Sequence, residues 1–126
     1  MRNHADYVDH ILQAATEACS FIEGLSKEDF LSDRRTQNAV IMSLVIVGEA
    51  ATKVMDLYPE FIQQHPDIPW RSMRGMRNRI AHGYFDINLD LVWDTVQIAL
   101  PELLKKLPHI HSEAAFFIQD KDRKNP

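Results

Sequence analysis

The chain has 126 residues, of which 45% are hydrophobic and 25% charged, and its formal net charge is −4. This length suits one domain and leaves little room for two. The single cysteine, Cys19, excludes an intramolecular disulfide framework and favours a reducing, cytoplasmic setting. The acidic balance argues against nonspecific coating of nucleic acid, and the most apolar run, residues 39–47, is too short to cross a bilayer.

Steps of three and four between apolar residues predict an all-α chain. The first helix is expected to end at a cap formed by Gly24, and Ser26 with Asp29 predicts a capping box for one short helical turn. A second long helix is expected to begin near residues 32–33 and to run to about Leu57. Because that helix is apolar over most of its circumference, we expect it to be central, or shared between the core and a subunit interface.

Prolines and a glycine divide the rest of the chain. Pro59 ends the second long helix, and a short connector is expected to follow it. Pro69 suits the first turn of a third helix, which Gly83 ends. Asn88 is expected to cap a fourth helix, in which Pro101 predicts a kink.

A local basic cluster stands out against the negative net charge. Half of the eight arginines fall in one short stretch: Arg71, Arg74, Arg77 and Arg79. Arginine is a permanent cation whose planar fork fits phosphate oxygens. Just after the cluster, His82 can exchange a proton near neutral pH, and Tyr84 adds a hydroxyl group. These side chains together predict phosphoester chemistry that needs no metal.

Simpler interpretations compete at the same residues. An arginine-rich helix face is most often a solvated surface, a histidine before a glycine often caps a helix, and Tyr84 and Phe85 also fit core anchors. On a straight helix, Arg77 and His82 project about 140° apart. A shared site therefore needs the backbone to leave the helix near Gly83, a long reach by the arginine, or a second copy of the chain.

The segment from Pro69 to Tyr84 resembles the signature of the HepT-like toxins, small helical proteins of the HEPN superfamily. Residues 33–40 and 48–51 resemble the family's second helix. Residues 91–94 and 100–103 resemble its last core helix. The resemblance covers residues 4–107 in the same order. One departure is that Met42, Ser43 and Val45 stand where the family commonly has polar residues, which bears on the cleft wall or the dimer contact.

The resemblance implies an antiparallel bundle of four to five helices over residues 1–108, forming a homodimer with the active cleft at the dimer interface. Residues 109–126 would be a partly frayed C-terminal extension. The implied activity is a metal-independent endoribonuclease without a cofactor, which is the toxin of a toxin–antitoxin pair, with transfer RNA as the substrate class. Its partner would be a minimal nucleotidyltransferase antitoxin.

The family motif falls on four residues of this sequence: Arg77, Asn78, His82 and Tyr84. The resemblance makes Arg77 and His82 catalytic and Asn78 a supporting group. It makes Tyr84 the residue to which the antitoxin transfers AMP. An alternative for the whole chain is a catalytically inactive helical dimer that binds a nucleotide or a nucleotidyltransferase.

Glu49 is an acid on an otherwise apolar helix face, and a buried acid needs a partner. We expect it to pair with Arg77 or Arg74 rather than to act as a catalytic acid.

Four arginines are expected to line the path of the RNA: Arg71, Arg74, Arg79 and Arg34. For Arg34, pairing with Asp29 or Asp33 is an equally good interpretation. His109 and His111 have no nearby cysteine or acidic cluster, so no metal site is predicted there.

Overall fold

The computed structural model describes residues 3–110, which are almost entirely helical and contain no strand. The helices are α1 (His4–Phe21), α2 (Lys27–Leu31), α3 (Arg34–Leu57), α4 (Pro59–Gln64), α5 (Trp70–His82), α6 (Leu89–Asp94) and α7 (100–110). A 3-10 turn, Tyr84–Asp86, follows α5, and a π-helical turn, Thr95–Ala99, joins α6 to α7. The predicted all-α class is confirmed.

Local capping fixes where the early helices begin. The Ser26 hydroxyl accepts from the backbone N–H of Asp29 at 3.1 Å, and the Asp29 carboxylate accepts from the Ser26 N–H at 3.2 Å, so the predicted capping box is confirmed. Asp33 caps α3 by accepting from the Thr36 N–H at 3.2 Å. Gly24 lies three residues beyond the end of α1, in a left-handed conformation with φ 79° that suits glycine.

Helix α3 is the centre of the molecule, as its composition predicts. It makes its most extensive contacts with α1 and α5 and further contacts with α2 and α4. Its inward residues are fully or almost fully buried: Val40, Leu44, Val47, Ala51 and Val54. On its outer face Met42 and Ile46 remain 60% and 39% exposed. One side of α3 therefore completes the core, and the other carries apolar side chains at the surface.

The prolines act differently from the sequence prediction in two places. Pro59 ends α3, but the predicted connector is a short helix that Pro59 itself begins, with Phe61 buried beneath it. Near Pro101 the predicted kink takes the form of the π-helical turn, in which the Leu100 N–H donates to the Thr95 carbonyl five residues earlier. Since a proline ring crowds the carbonyl four residues back, a wider turn at this point relieves the helix.

The last described helix continues past the boundary expected at residue 108. Helix α7 runs to residue 110, and Ile110 is buried in the core. The remainder of the expected extension, with His111, lies outside the described residues. Between residues 3 and 110, no helix has the length and apolar character needed to span a membrane.

Candidate active site on helices α3 and α5

Helix α5 packs one narrow apolar side against the core and presents its basic side to solvent. Trp70, Met73 and Ile80 are the buried residues, and their spacing defines a single face. Pro69 is the residue before the helix rather than within its first turn. Gly83 ends the helix, with its N–H donating to the Arg79 carbonyl at 3.1 Å. The arginines between these landmarks therefore lie on faces fixed by the core contacts.

Steps of three and four residues place four polar side chains on one outer face of α5: Arg71, Arg74, Asn78 and His82. We call this set the polar stripe of α5. Arg71, Asn78 and His82 are exposed, whereas Arg74 is partly buried and pairs with Asp56 on α3 at 2.6 Å. The stripe thus offers a permanent cation at one end and an imidazole at the other.

Arg77 points toward α3 instead. Its Nη1 donates to the Glu49 carboxylate at 3.0 Å, and its Nη2 donates to the Thr52 hydroxyl at 3.1 Å. The Thr52 hydroxyl donates in turn to the Gly48 carbonyl at 2.7 Å. The predicted pairing of Glu49 is confirmed, but its predicted burial is wrong. The Glu49 side chain is 52% exposed because its carboxylate lies at the rim of the α3–α5 contact.

The guanidinium of Arg77 keeps free hydrogen-bond donors while it is held in place. A guanidinium has five N–H groups. One N–H of each Nη is used by α3, and the Nε is buried without a hydrogen-bond partner among the described residues. The second N–H of each Nη makes no hydrogen bond among the described residues. These remaining donors can bind phosphate oxygens.

Gly48 makes this arrangement possible, a role that was not predicted from the sequence. A Cβ built on Gly48 would lie 2.3 Å from the Arg77 Cβ and 2.7 Å from the Met73 carbonyl oxygen. No side chain fits between α3 and α5 at this point, so the two backbones approach closely. A glycine inside a long apolar helix, directly before an acid, is compatible with a close backbone contact, but it does not indicate which helix approaches.

Arg77 and His82 do not meet within one chain. Helix α5 continues through His82, so the backbone does not leave the helix early enough to bring the two onto one face. Five helical residues separate their directions by about 140°. Across residues 3–110, the structure records no hydrogen bond between these two side chains. Of the three ways to a shared site, completion by a second copy is the one this geometry favours.

Tyr84 and Phe85 are surface residues, so their interpretation as core anchors is wrong. They are 62% and 85% exposed, and their ring centroids lie 4.2 Å apart with planes tilted by 36°. The 3-10 turn that carries them is closed by the Asp86 N–H, which donates to the Gly83 carbonyl at 2.9 Å. The tyrosine hydroxyl of the motif is thus presented at the surface, two residues after His82.

The remaining predicted RNA contacts are both exposed. Arg79 lies in the last turn of α5, where its Nε donates to the Gly75 carbonyl at 3.4 Å. Arg34 is the first residue of α3. Among the described residues it forms no ion pair with Asp29 or Asp33, whose carboxylates accept from backbone N–H groups as helix caps. In the part of the chain that the structure describes, no group of three metal-binding side chains is placed to hold an ion.

The family model for HepT-like ribonucleases matches residues 11–110, which include α5 and all of α3. The chain belongs to the HepT-like family. A protein of Thermococcus cleftensis named as a probable ribonuclease HepT is 39% identical over 105 residues, covering 83% of this chain and 93% of that protein. A protein of Caldanaerobacter subterraneus named as a candidate RNase is 36% identical over 110 residues, covering 87% and 96%.

No solved structure gives a significant match to the chain. The HepT-like resemblance read from the sequence is confirmed by the family match. The matched region carries the Arg77–Glu49 pair, the polar stripe of α5 and the exposed tyrosine.

Proposed function

We propose that this HepT-like protein is an endoribonuclease that needs no metal and is the toxin of a toxin–antitoxin pair, with transfer RNA as its substrate class. The observation that carries the proposal is the arrangement on α5: Arg77 is fixed by Glu49 and Thr52 with donors to spare, and His82 is exposed at the end of the polar stripe. The names of its relatives, which describe ribonucleases, support the same activity.

In the proposed cleavage, a 2′-hydroxyl group of the RNA itself is the nucleophile. The 2′-hydroxyl oxygen forms a bond to the adjacent phosphorus while His82 removes the hydroxyl proton as general base. Arg77 of a second copy binds the non-bridging oxygens, whose negative charge grows in the phosphorane, because Arg77 and His82 of one chain do not share a face. Asn78, one turn before His82, orients the reacting groups. The bond from phosphorus to the 5′-oxygen then breaks, and that oxygen takes a proton, which leaves a 2′,3′-cyclic phosphate and a 5′-hydroxyl end.

A second copy of the chain supplies the proton donor. Its His82, in the protonated state, acts as general acid, so the active cleft lies between two protomers. Helices α3 and α5 run antiparallel, since Arg74 pairs with Asp56 and Arg77 with Glu49. This course brings the His82 end of α5 toward the part of α3 that carries Met42. The exposed apolar side chains of α3 therefore lie on the side of the molecule where the proposal needs a partner.

Product analysis tests the chemistry. His82→Ala is expected to abolish cleavage of single-stranded and transfer RNA, while the helical circular-dichroism spectrum and the molecular mass stay those of the wild type. Wild-type cleavage is expected to persist in EDTA and to leave cyclic-phosphate ends. Loss of cleavage in EDTA that a divalent cation restores would overturn the mechanism, and full activity of His82→Ala would remove its general base.

Mixing experiments test the shared cleft. Wild-type and His82→Ala chains are unfolded together, refolded at several ratios and assayed for RNA cleavage. If each reaction needs His82 from both protomers, activity falls as the square of the wild-type fraction. A linear fall would mean that each chain acts alone, and it would overturn the proposed general acid.

The antitoxin is a minimal nucleotidyltransferase that modifies Tyr84. The tyrosine oxygen attacks the α-phosphorus of ATP, pyrophosphate leaves, and the phenolic proton passes to solvent or a base of the antitoxin. The exposure of Tyr84 favours this step because the hydroxyl is open to a large partner. The added AMP brings negative charge and bulk beside His82, where an anionic substrate enters, so it blocks cleavage.

Intact-mass measurement tests the modification. After co-expression with a minimal nucleotidyltransferase as the proposed antitoxin, the chain is expected to gain the mass of AMP on a peptide that contains Tyr84, and to lose RNA cleavage. Tyr84→Phe is the matched control, because it keeps the ring and removes the nucleophile. An equal mass gain in Tyr84→Phe would place the modification elsewhere.

A further inference from the structure

The proposed function leaves Phe85 without a role, although it is far more exposed than a phenyl ring usually is. The side chain is 85% exposed and its ring rests on that of Tyr84 at a centroid distance of 4.2 Å. Both rings are held by the short turn that Gly83 and Asp86 close. The pair is therefore an exposed aromatic surface made of two contacting rings rather than one isolated side chain.

We propose that Phe85 is a stacking platform for an unpaired base of the RNA, so that it positions the strand beside His82. This inference rests on the proposed function and names how the same site binds its substrate. Proteins recognise single-stranded RNA largely by stacking splayed bases on aromatic rings.

Position supports an RNA base as the occupant. Phe85 lies three positions after His82 in the chain, so their Cα atoms are at most about 11 Å apart. A base and the phosphate of an adjacent nucleotide fit within such a span. The strand thus reaches His82 when one of its bases rests on Phe85.

Charge supports the same occupant. Helix α5 contains no acidic residue, and two of its four arginines, Arg71 and Arg79, have no acidic partner among the described residues. Arg79 and His82 lie in its last turn, close before the aromatic pair. The Asp86 carboxylate beside Phe85 disfavours a phosphate on the ring itself. A polyanion is therefore attracted along α5, and its uncharged base, rather than its backbone, suits the ring.

The surroundings disfavour a protein partner on this surface. Three sequence neighbours of Phe85 are exposed polar residues: His82, Asp86 and Asn88. Protein interfaces form their core from adjoining apolar side chains. The outer face of α3, with Met42 and Ile46, fits that description better than the turn.

Binding in a cleavage-deficient background tests the platform. The protein is the full chain with His82→Ala, and the probe is a fluorescein-labelled single-stranded RNA of mixed sequence, followed by anisotropy. Phe85→Ala and Phe85→Leu are each expected to weaken binding about 5- to 150-fold, the range given by one lost base stack. Phe85→Trp and Phe85→Tyr keep a flat ring and are expected to bind within about twofold of the parent.

Two controls separate stacking from other effects. Phe21→Leu makes the same chemical change at another exposed ring and is expected to leave RNA binding unchanged. Inorganic polyphosphate is a polyanion without bases, and it is expected to compete equally well in the Phe85→Ala and parent proteins. In the cleaving protein, Phe85→Leu is expected to raise KM and leave kcat nearly unchanged.

Three outcomes would overturn the platform. In the first, Phe85→Leu binds RNA as tightly as the parent. In the second, Phe85→Ala weakens polyphosphate and RNA alike. In the third, Phe85→Ala lowers the molecular mass measured by light scattering, which makes the occupant a second copy of the chain. If the wild type neither binds nor cleaves RNA, the proposed function itself fails, which is a different result from cleavage that ignores Phe85.

Discussion

Gly48 on α3 lies against the side-chain stem of Arg77 on α5, and this contact sets how close the two helices come. A Cβ at position 48 would lie 2.3 Å from the Arg77 Cβ. The same crossing point carries the hydrogen bonds that hold the Arg77 guanidinium on Glu49 and Thr52. Helix packing and the position of the proposed catalytic cation are thus one structural feature.

Gly48→Ala is expected to destabilise the protein by about 1–3 kcal/mol, the usual cost of forcing an extra methyl group into a close-packed contact. The helices must separate at this point, and Arg77 then moves away from Glu49. Urea denaturation followed by circular dichroism measures the loss in free energy of unfolding. RNA cleavage is expected to fall further than the unfolded fraction explains.

Gly75→Ala is the matched control for that change. Gly75 also lies inside a helix, but a Cβ there would meet only the end of the Arg79 side chain at 3.9 Å. Alanine at this position is expected to stabilise the protein by about 0.5–1 kcal/mol, because glycine costs entropy in a helix. If both substitutions stabilise, the close approach at Gly48 is not a real constraint.

Glu49 variants separate a positioning role from acid catalysis. Glu49→Ala frees Arg77 and is expected to lower kcat/KM about 10- to 100-fold, the cost of a misplaced catalytic group. Glu49→Gln keeps an oxygen acceptor for Arg77 and is expected to retain most of the activity. Its pH–rate profile is expected to match that of the wild type. If the Glu49→Gln substitution instead removes one limb of the pH–rate profile, Glu49 is a proton donor in the reaction.

Local signals account for what the sequence predicted well. Asp33 precedes the start of α3 and Pro59 follows its end. Both ends were predictable because a capping carboxylate and a missing N–H act on the neighbouring turn. The partner of Glu49 was also predictable, since an acid on an apolar helix needs a cation and the cluster on α5 supplies one.

Features that depend on how helices cross were not predictable in the same way. The role of Gly48 depends on α5 passing at that level of α3, and no pattern within either helix fixes that level. Phenylalanine is usually buried, yet the turn after Gly83 places the Phe85 side chain at the surface. The exposure of Glu49 has the same origin, because the rim of a contact is defined only once both helices are placed.

The Asp33 cap predicts a pH dependence of stability. Hydrogen bonds from the Thr36 hydroxyl, at 2.6 Å, and from its N–H lower the pKa of the Asp33 carboxyl in the folded chain. A carboxyl whose folded pKa is lowered stabilises the fold fully above its unfolded pKa of about 3.9. That contribution is lost as the pH falls through the folded pKa.

Asp33→Asn isolates this contribution, because asparagine also caps helices but does not titrate. The difference in Tm, wild type minus Asp33→Asn, is expected to rise with pH through the acid range and to level off above the unfolded pKa. Other carboxylates are common to both proteins and cancel in the difference. A difference that does not change between pH 2.5 and 6 would mean that the Thr36 hydrogen bonds do not favour the charged form.

The exposed apolar side chains of α3 predict where a second copy docks. Met42 and Ile46 are one helical turn apart, and Glu49 continues the same face toward Arg77. Burying such side chains in a dimer stabilises it by about 25 cal/mol per Å² of apolar surface, whereas a lysine there brings an unpaired charge into the interface. Ile46→Lys is therefore expected to raise the dimer dissociation constant by at least about tenfold, measured by analytical ultracentrifugation.

Ile98→Lys is the matched control, since Ile98 is 66% exposed in the turn between α6 and α7 and lies outside α3 and α5. It is expected to leave both dimerisation and RNA cleavage unchanged. For Ile46→Lys, cleavage is expected to fall with dilution in step with the dimer fraction, because each cleft needs two chains. Full activity of an Ile46→Lys monomer would show that one chain suffices, and the general acid would then have to come from within it.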